Sequence, residues 1–192
     1  MSIRIIRAKA AEAKDISKAG RQSFYDAFHP IFINKDELAK YLDQTYNVDK
    51  LIISIHNPNN IFFVAYDEDK PVGFAKIKRQ SPNQQIKAAT QSELQKIYVL
   101  KGYHGSGVGL TLLNTVLDAA NEIQPEYVWL NVHVSNVKAK RFYEKNGFTA
   151  VRKHYYTIGT QKFEFELMTI PVGHPGNESK SFSLPDGAAH CK

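Results

Sequence analysis

An α/β domain built on a mixed sheet is the fold class that this sequence predicts, and three observations carry the prediction. Strand-like stretches with alternating apolar residues interleave with stretches whose apolar residues recur at i, i+4. The order that results, β-α-α-β-β-β-α-β-α-β-β, packs helices on a sheet instead of segregating the two. One junction, "YVLKGYHGSGVGLTLLNTVL" at 98–117, passes from a strand-like run to a helix-like run through Gly105, Gly107 and Gly109.

The elements follow in order. Residues 3–10 alternate as a first strand, and 11–29 have helical spacing up to Pro30. One or two helices follow in 34–57, where Leu38, Leu42 and Tyr46 share a face. Asn34 stands as their N-cap, with Glu37 three residues on in a capping-box pattern. Residues 60–80 form a hairpin around "DEDKP", and the polar stretch 81–91 is a loop. A strand at 92–100 leads to the glycines and then to a helix ending near 123, along which Val108, Leu112, Val116 and Ala120 form an apolar row. Strict alternation at 127–135 puts Val128, Leu130 and Val132 on one face and Trp129, Asn131 and His133 on the other. A short helix at 136–146 is closed by Gly147, and 148–158 pairs with 161–170 around Gly159 and Thr160. The expected organisation is one domain over 1–170 and a flexible tail over 171–192, rich in Gly, Ser and Pro.

Length and composition narrow the function classes. A chain of 192 residues, 43% hydrophobic and 23% charged, can bury a core without metal or disulfide staples. It has no apolar run of membrane-spanning length, so a cytoplasmic protein with no membrane partner is expected. The lone cysteine, Cys191, cannot pair within the chain. The net charge of +6 is spread along the sequence without a basic block, so no nucleic-acid partner is expected, and no metal site is proposed.

The glycine loop is the informative motif. Unpaired amides at a helix start face outward, and glycine lets main chain approach a phosphate closely. A Walker A loop needs Gly-Lys-Ser/Thr at its end, where this chain has Gly109-Leu110-Thr111. A dinucleotide fingerprint needs its third glycine one residue later, and an acidic residue closing the next strand; that strand here ends in "HVSN". A cradled diphosphate leaves coenzyme A as another possibility.

At this point the sequence resembles the GCN5-related N-acetyltransferase (GNAT) family. "HGSGVG" (His104 to Gly109) resembles that family's Gln/Arg-x-x-Gly-x-Gly/Ala loop, with His104 where Gln or Arg is usual. "ELQKIYV" resembles the strand before the loop, and "NVKAKRFYEKNGF" resembles the later motif; the similarity runs from about residue 60 to 170. Within the family, the chain is most similar to PaiA-type polyamine acetyltransferases, through "SFYDAF" and "YVWLNVHVSNVKAKRFYEKNGF".

The resemblance implies a mixed, mostly antiparallel sheet of about seven strands flanked by four or so helices, with a splay between the fourth and fifth strands. It implies acetyl-CoA as co-substrate and a small-molecule amine, such as spermidine, as acceptor. The donor site would comprise the main chain of Ile97, Tyr98 and Val99, the loop residues His104, Gly105, Ser106, Gly107, Val108, Gly109 and Leu110, and also Asn136 and Lys145. The amides of 105–110 would carry the pyrophosphate. Val99 N–H would face the thioester oxygen, and Tyr143 would serve as the acid for the leaving thiolate. Glu93 is the expected base, directly or through water, with His133 and His154 as rivals. Phe24, Tyr25 and Phe28 would line the acceptor pocket, with Asp26, Asp36, Glu37 and Asp43 as carboxylates for a cationic acceptor, and the loop 81–91 could move over it. A homodimer is possible through the terminal strands. Two other readings stay open: acetylation of a protein N-terminus or lysine, and a non-catalytic CoA-binding sensor.

Overall fold

The computed structural model describes residues 2–172. The chain forms β1 (Ile3–Arg7), α1 (Ala13–Phe28), α2 (Lys35–Thr45), α3 (Val48–His56), β2 (Asn60–Asp67), β3 (Lys70–Lys78), β4 (Gln91–Val99), α4 (Val108–Ile123), β5 (Tyr127–His133), α5 (Val137–Lys145), β6 (Thr149–Ile158) and β7 (Gln161–Pro171). The sheet has seven strands in the order β1-β2-β3-β4-β5-β7-β6. Every pairing is antiparallel except β4 with β5. This is the fold class the sequence predicted, with five α-helices among the described residues.

Alternation along the strands sends side chains to two cores. Ile61, Phe63 and Ala65 of β2, with Val128, Leu130 and Val132 of β5, pack beneath α4, whose Val108, Leu112 and Val116 are buried. Phe62, Val64 and Tyr66 turn to the opposite face, beneath Ile16 and Phe24 of α1, Leu38 and Leu42 of α2 and Leu51 of α3. Among the described residues no helix is long and apolar enough to cross a membrane.

Several boundaries differ from the sequence reading. β1 stops at Arg7, because residues 10–12 coil into a 3-10 turn whose Glu12 carboxylate accepts from Lys9 N–H at 2.7 Å. Asn34 does cap α2, accepting from the amides of Asp36 and Glu37. Glu37 does not complete a capping box there: its carboxylate instead accepts from the amide and hydroxyl of Thr160, at the tip of the β6–β7 hairpin. The loop 81–91, expected to move over the acceptor pocket, is anchored. Trp129 Nε1 donates to Ser81 O at 2.7 Å, Ile86 packs on Trp129 and Leu167, and Gln91 Nε2 donates to Ile86 O and Ala88 O. β7 runs through Pro171, and Val172 beyond it is buried with its N–H donating to Glu126 O at 3.0 Å, so two residues of the expected tail belong to the fold; residues 173–192, Cys191 among them, lie outside the described residues.

Candidate active site at the strand splay

The parallel ladder between β4 and β5 has three rungs, Gln91–Tyr127, Ser92–Val128 and Glu93–Trp129. Beyond Glu93 the two strands part: β4 continues along β3, and β5 continues along β7. Glu93 therefore sits at the fork. Past it, half the main-chain groups of β4 have lost a partner strand. Leu100 N–H donates to Val72 O at 2.8 Å, on the β3 side. By the alternation of an antiparallel ladder, Ile97 and Val99 turn their N–H groups the other way, into the gap. His104 supports that direction, since its Nε2 donates to Val99 O at 2.9 Å.

The glycine loop closes one end of this gap. Gly105 and Gly107 have φ of 80° and 90°, left-handed values that favour glycine. Gly107 caps α4, and the first intrahelical bond is Thr111 N–H to Gly107 O. The amides of Gly107, Val108, Gly109 and Leu110 are therefore without helical partners. Ser106 was expected among these free amides. Its N–H instead donates to Tyr103 O at 3.3 Å and its hydroxyl to the same oxygen at 2.7 Å, because the turn folds back on itself. A Cβ at Gly105 or Gly107 would meet nothing within 4 Å.

The remaining residues expected on the donor side come from α5. Tyr143 is buried against Phe142 and Phe148, and that burial raises its phenol above the usual value. Its hydroxyl has no hydrogen-bond partner among the described residues. Asn136 Oδ1 caps α5 through Ala139 N–H at 3.1 Å, which leaves its amide nitrogen to donate elsewhere. Lys145 lies exposed in the last turn of that helix. Glu93 accepts from Ser81 Oγ at 2.9 Å and lies 3.7 Å from Lys78 Nζ.

On the other face of β4, aromatic side chains assemble. Phe24 stacks on Phe28 at 4.2 Å and on Tyr41 at 4.7 Å, and Tyr98 lies 6.1 Å away. His133 meets Phe28, Phe163 and Phe165 edge-on, and burial lowers its pKa. His154 packs edge-on against Tyr156, with its pKa also lowered by burial. Tyr25 does not join this group; it is 43% exposed and packs on His29. Positions 24 and 28 share a helical face, and position 25 is about 100° away from it. Tyr41, Phe163, Phe165 and the Tyr98 ring join this cluster without having been expected there. Only an apolar face for α2 and alternation in the last strand hinted at them.

The four carboxylates considered for a cationic acceptor are engaged elsewhere or exposed. Asp26 accepts from Gln22, Asp43 pairs with Arg21 at 2.6 Å, Glu37 holds Thr160, and Asp36 is exposed. The hairpin tip is tied further by Ile33 N–H to Gln161 Oε1 and Gln161 Nε2 to Ile31 O.

Comparison with known proteins identifies the family and the fold. The model of the acetyltransferase (GNAT) family matches residues 21–148. An uncharacterized N-acetyltransferase in the pepI 3′ region of Lactobacillus delbrueckii subsp. lactis is 24% identical over 160 residues, covering 83% of this chain and 92% of that protein. An N-alpha-acetyltransferase of Sulfurisphaera tokodaii is 31% identical over 118 residues, covering 58% of this chain and 69% of its own length. In overall fold, the chain is similar to PaiA N-acetyltransferase from Thermoplasma acidophilum, solved with coenzyme A. The TM-score is 0.72 at 22% identity, covering 89% of this chain and 99% of the other.

Proposed function

The chain belongs to the acetyltransferase (GNAT) family and is an N-acetyltransferase of that type; from this premise we propose that it moves an acetyl group from acetyl-CoA to a primary amine of a small molecule. The observation that carries the reading is the splay. Free amides of Ile97 and Val99 line a gap that ends on the free amides of residues 107–110. Gly109 supplies a test of fit. Its φ is not left-handed, and a Cβ there would meet only Val99 Cγ2 at 3.9 Å and Phe142 Cζ at 4.0 Å. The fold itself does not need glycine at that position, whereas a diphosphate lying against the main chain would.

Acetyl-CoA, when bound, supplies the activated acetyl thioester. In this chain the amides of 107–110 hold its pyrophosphate, and Ile97 and Val99 pair with its extended arm like an added strand. Asn136 donates its free amide hydrogens towards that arm. Lys145 lies on the same helix and adds positive charge. Val99 N–H donates to the thioester oxygen as charge develops there. Tyr143, kept protonated by burial, donates a hydrogen bond to the departing sulfur. Its raised pKa makes it a weaker acid than a thiol near 8.5, so the bond stabilises the thiolate without full proton transfer. The attacking amine must be neutral. Glu93, oriented by Ser81 at the fork, takes up its proton through water. His133, walled by three aromatic rings, is the rival base.

A small acceptor is supported by the ties across the hairpin tip. A peptide entering between the α1–α2 connection and the hairpin would have to break the bonds to Thr160 and Gln161. The engaged carboxylates give no support to spermidine in particular. A second reading, acetylation of protein N-termini, is favoured by the N-alpha-acetyltransferase among the relatives.

Thiol release from acetyl-CoA across polyamines, amino acids, aminoglycosides and peptides tests the proposal, with the thiol of Cys191 subtracted. Saturable release with a small amine is expected. Release with peptides alone favours the second reading. No release from a protein that binds acetyl-CoA would overturn the transfer and leave a sensor.

A further inference from the structure

On the reading that this chain acetylates a small amine, we propose that the acceptor carries a carboxylate or similar anionic group near its amine, and that Lys96, supported by Lys76, holds that group. The two lysines face each other across β3 and β4, Lys76 opposite Lys96. A bulge at Gln95 brings them into register, since Lys76 pairs with Lys96 and the next pair is Ile77 with Leu94. Like charges directly opposed on adjacent strands destabilise a sheet.

Lys96 shares a strand face with Tyr98, two residues on, and so points to the acceptor side. Its Nζ lies 5.6 Å from the Tyr46 ring, and that ring is 6.3 Å from Phe24. Lys76 Nζ lies 5.1 Å from the Phe62 ring and donates to Ser54 Oγ at 3.2 Å. Both side chains are half-buried. Among the described residues, neither Nζ has a carboxylate oxygen within 4.0 Å. Glu93, the carboxylate whose charge opposes both shifts, is shared between Ser81 and Lys78. The Tyr46 hydroxyl is likewise buried without a partner.

An ammonium that has lost water and gained no counter-ion is costly unless something later pairs with it. Both lysines carry the signature. Burial pushes Lys96 down to about 8, opposed by Glu93, and burial with the charges of Lys96 and Lys78 pushes Lys76 to about 8. An arriving anion would draw the lysines back to the charged form and gain a charge-assisted hydrogen bond. Three strand residues, about 10 Å at ~3.3 Å each, separate Lys96 from Val99, which suits an acceptor of amino-acid to dipeptide size.

The test uses matched pairs: tyrosine against tyramine, leucine against isopentylamine, and a tripeptide with aspartate at its second position against its asparagine counterpart, with spermidine alongside. Binding to the full chain loaded with coenzyme A is measured by calorimetry, and turnover by thiol release. The anionic member of at least one pair is expected to bind about ten-fold or more tightly, and to take up a fraction of a proton at pH 8. Free amino acids winning identifies a backbone carboxylate; the aspartyl peptide winning identifies a side-chain carboxylate. Lys96→Met should erase the preference without unfolding the protein, since it removes a half-buried charge beside Lys76. Lys96→Arg should keep the preference and reduce the proton uptake. Equal binding within every pair, preference for spermidine, or an unchanged preference in Lys96→Met would overturn the inference. Carboxylate-selective binding without any thiol release would support the anion site and overturn the transferase reading.

Discussion

On the proposed donor side of the splay the groups offered to a ligand are mostly main-chain amides, those of Ile97, Val99 and residues 107–110, joined by the side chains of Asn136 and Tyr143. On the proposed acceptor side they are side chains: Phe24 and Phe28 from α1, Tyr41 from α2, Lys96 and Tyr98 from β4, His133 from β5 and Phe163 from β7. Amides bind a diphosphate of suitable shape whatever the neighbouring side chains, so on the proposed reading the pyrophosphate end of the donor side depends on backbone conformation. Side chains can change one at a time, so on this proposal selectivity resides on the acceptor side.

Four substitutions or conditions would break or sharpen that contrast. The largest effect is expected at Gly109. Leucine there should raise the acetyl-CoA dissociation constant about 1000-fold, the loss of two charge-assisted hydrogen bonds of about 2 kcal/mol each. Its thermal midpoint should stay close to wild type, because a first carbon at Gly109 makes only ordinary van der Waals contact, with Val99 Cγ2 at 3.9 Å and Phe142 Cζ at 4.0 Å. A midpoint collapse would mean that the glycine serves packing. Next is Tyr143→Phe, expected to lower kcat about 100-fold with acetyl-CoA affinity unchanged. An unchanged kcat in rapid-quench turnover would remove Tyr143 from the chemistry.

Glu37→Ala probes the acceptor side. Freeing the hairpin tip should raise the acceptor KM several-fold and cost about 1 kcal/mol in urea unfolding, with the acetyl-CoA KM untouched. A matching rise in both KM values would mean the two sides are not separable. The smallest effect concerns pH. Lys76 and Lys96 release protons near 8 when folded and near 10.5 when unfolded, so between those values the unfolded state binds more protons. Their contribution to stability therefore rises with pH above 8. The gain that Lys96→Met confers in urea midpoint should be greatest below pH 8 and shrink towards pH 10. A constant gain would contradict the lowered pKa.

The same contrast explains what could be read from the sequence. Gly105 and Gly107 announce a left-handed turn locally, and the run after them announces its helix, so the donor loop was legible over a few residues. The splay followed only from family likeness, since no residue of β4 or β5 encodes where two strands part. The acceptor side gathers residues as far apart as Phe24 and Phe165, and sequence spacing is silent about such meetings. Glu37 shows why: it stands in a good local capping pattern, yet its partner Thr160 is 123 residues away. The meeting of Lys76 with Lys96 depends on the bulge at Gln95, which plain alternation does not reveal.

The most direct test of the whole account is transfer of a labelled acetyl group from acetyl-CoA in a single turnover, with the products separated and identified. The label should appear on the nitrogen of a small amine, quickly with the wild type and slowly with Tyr143→Phe. Label that stays on coenzyme A, or is released only as acetate, would contradict it.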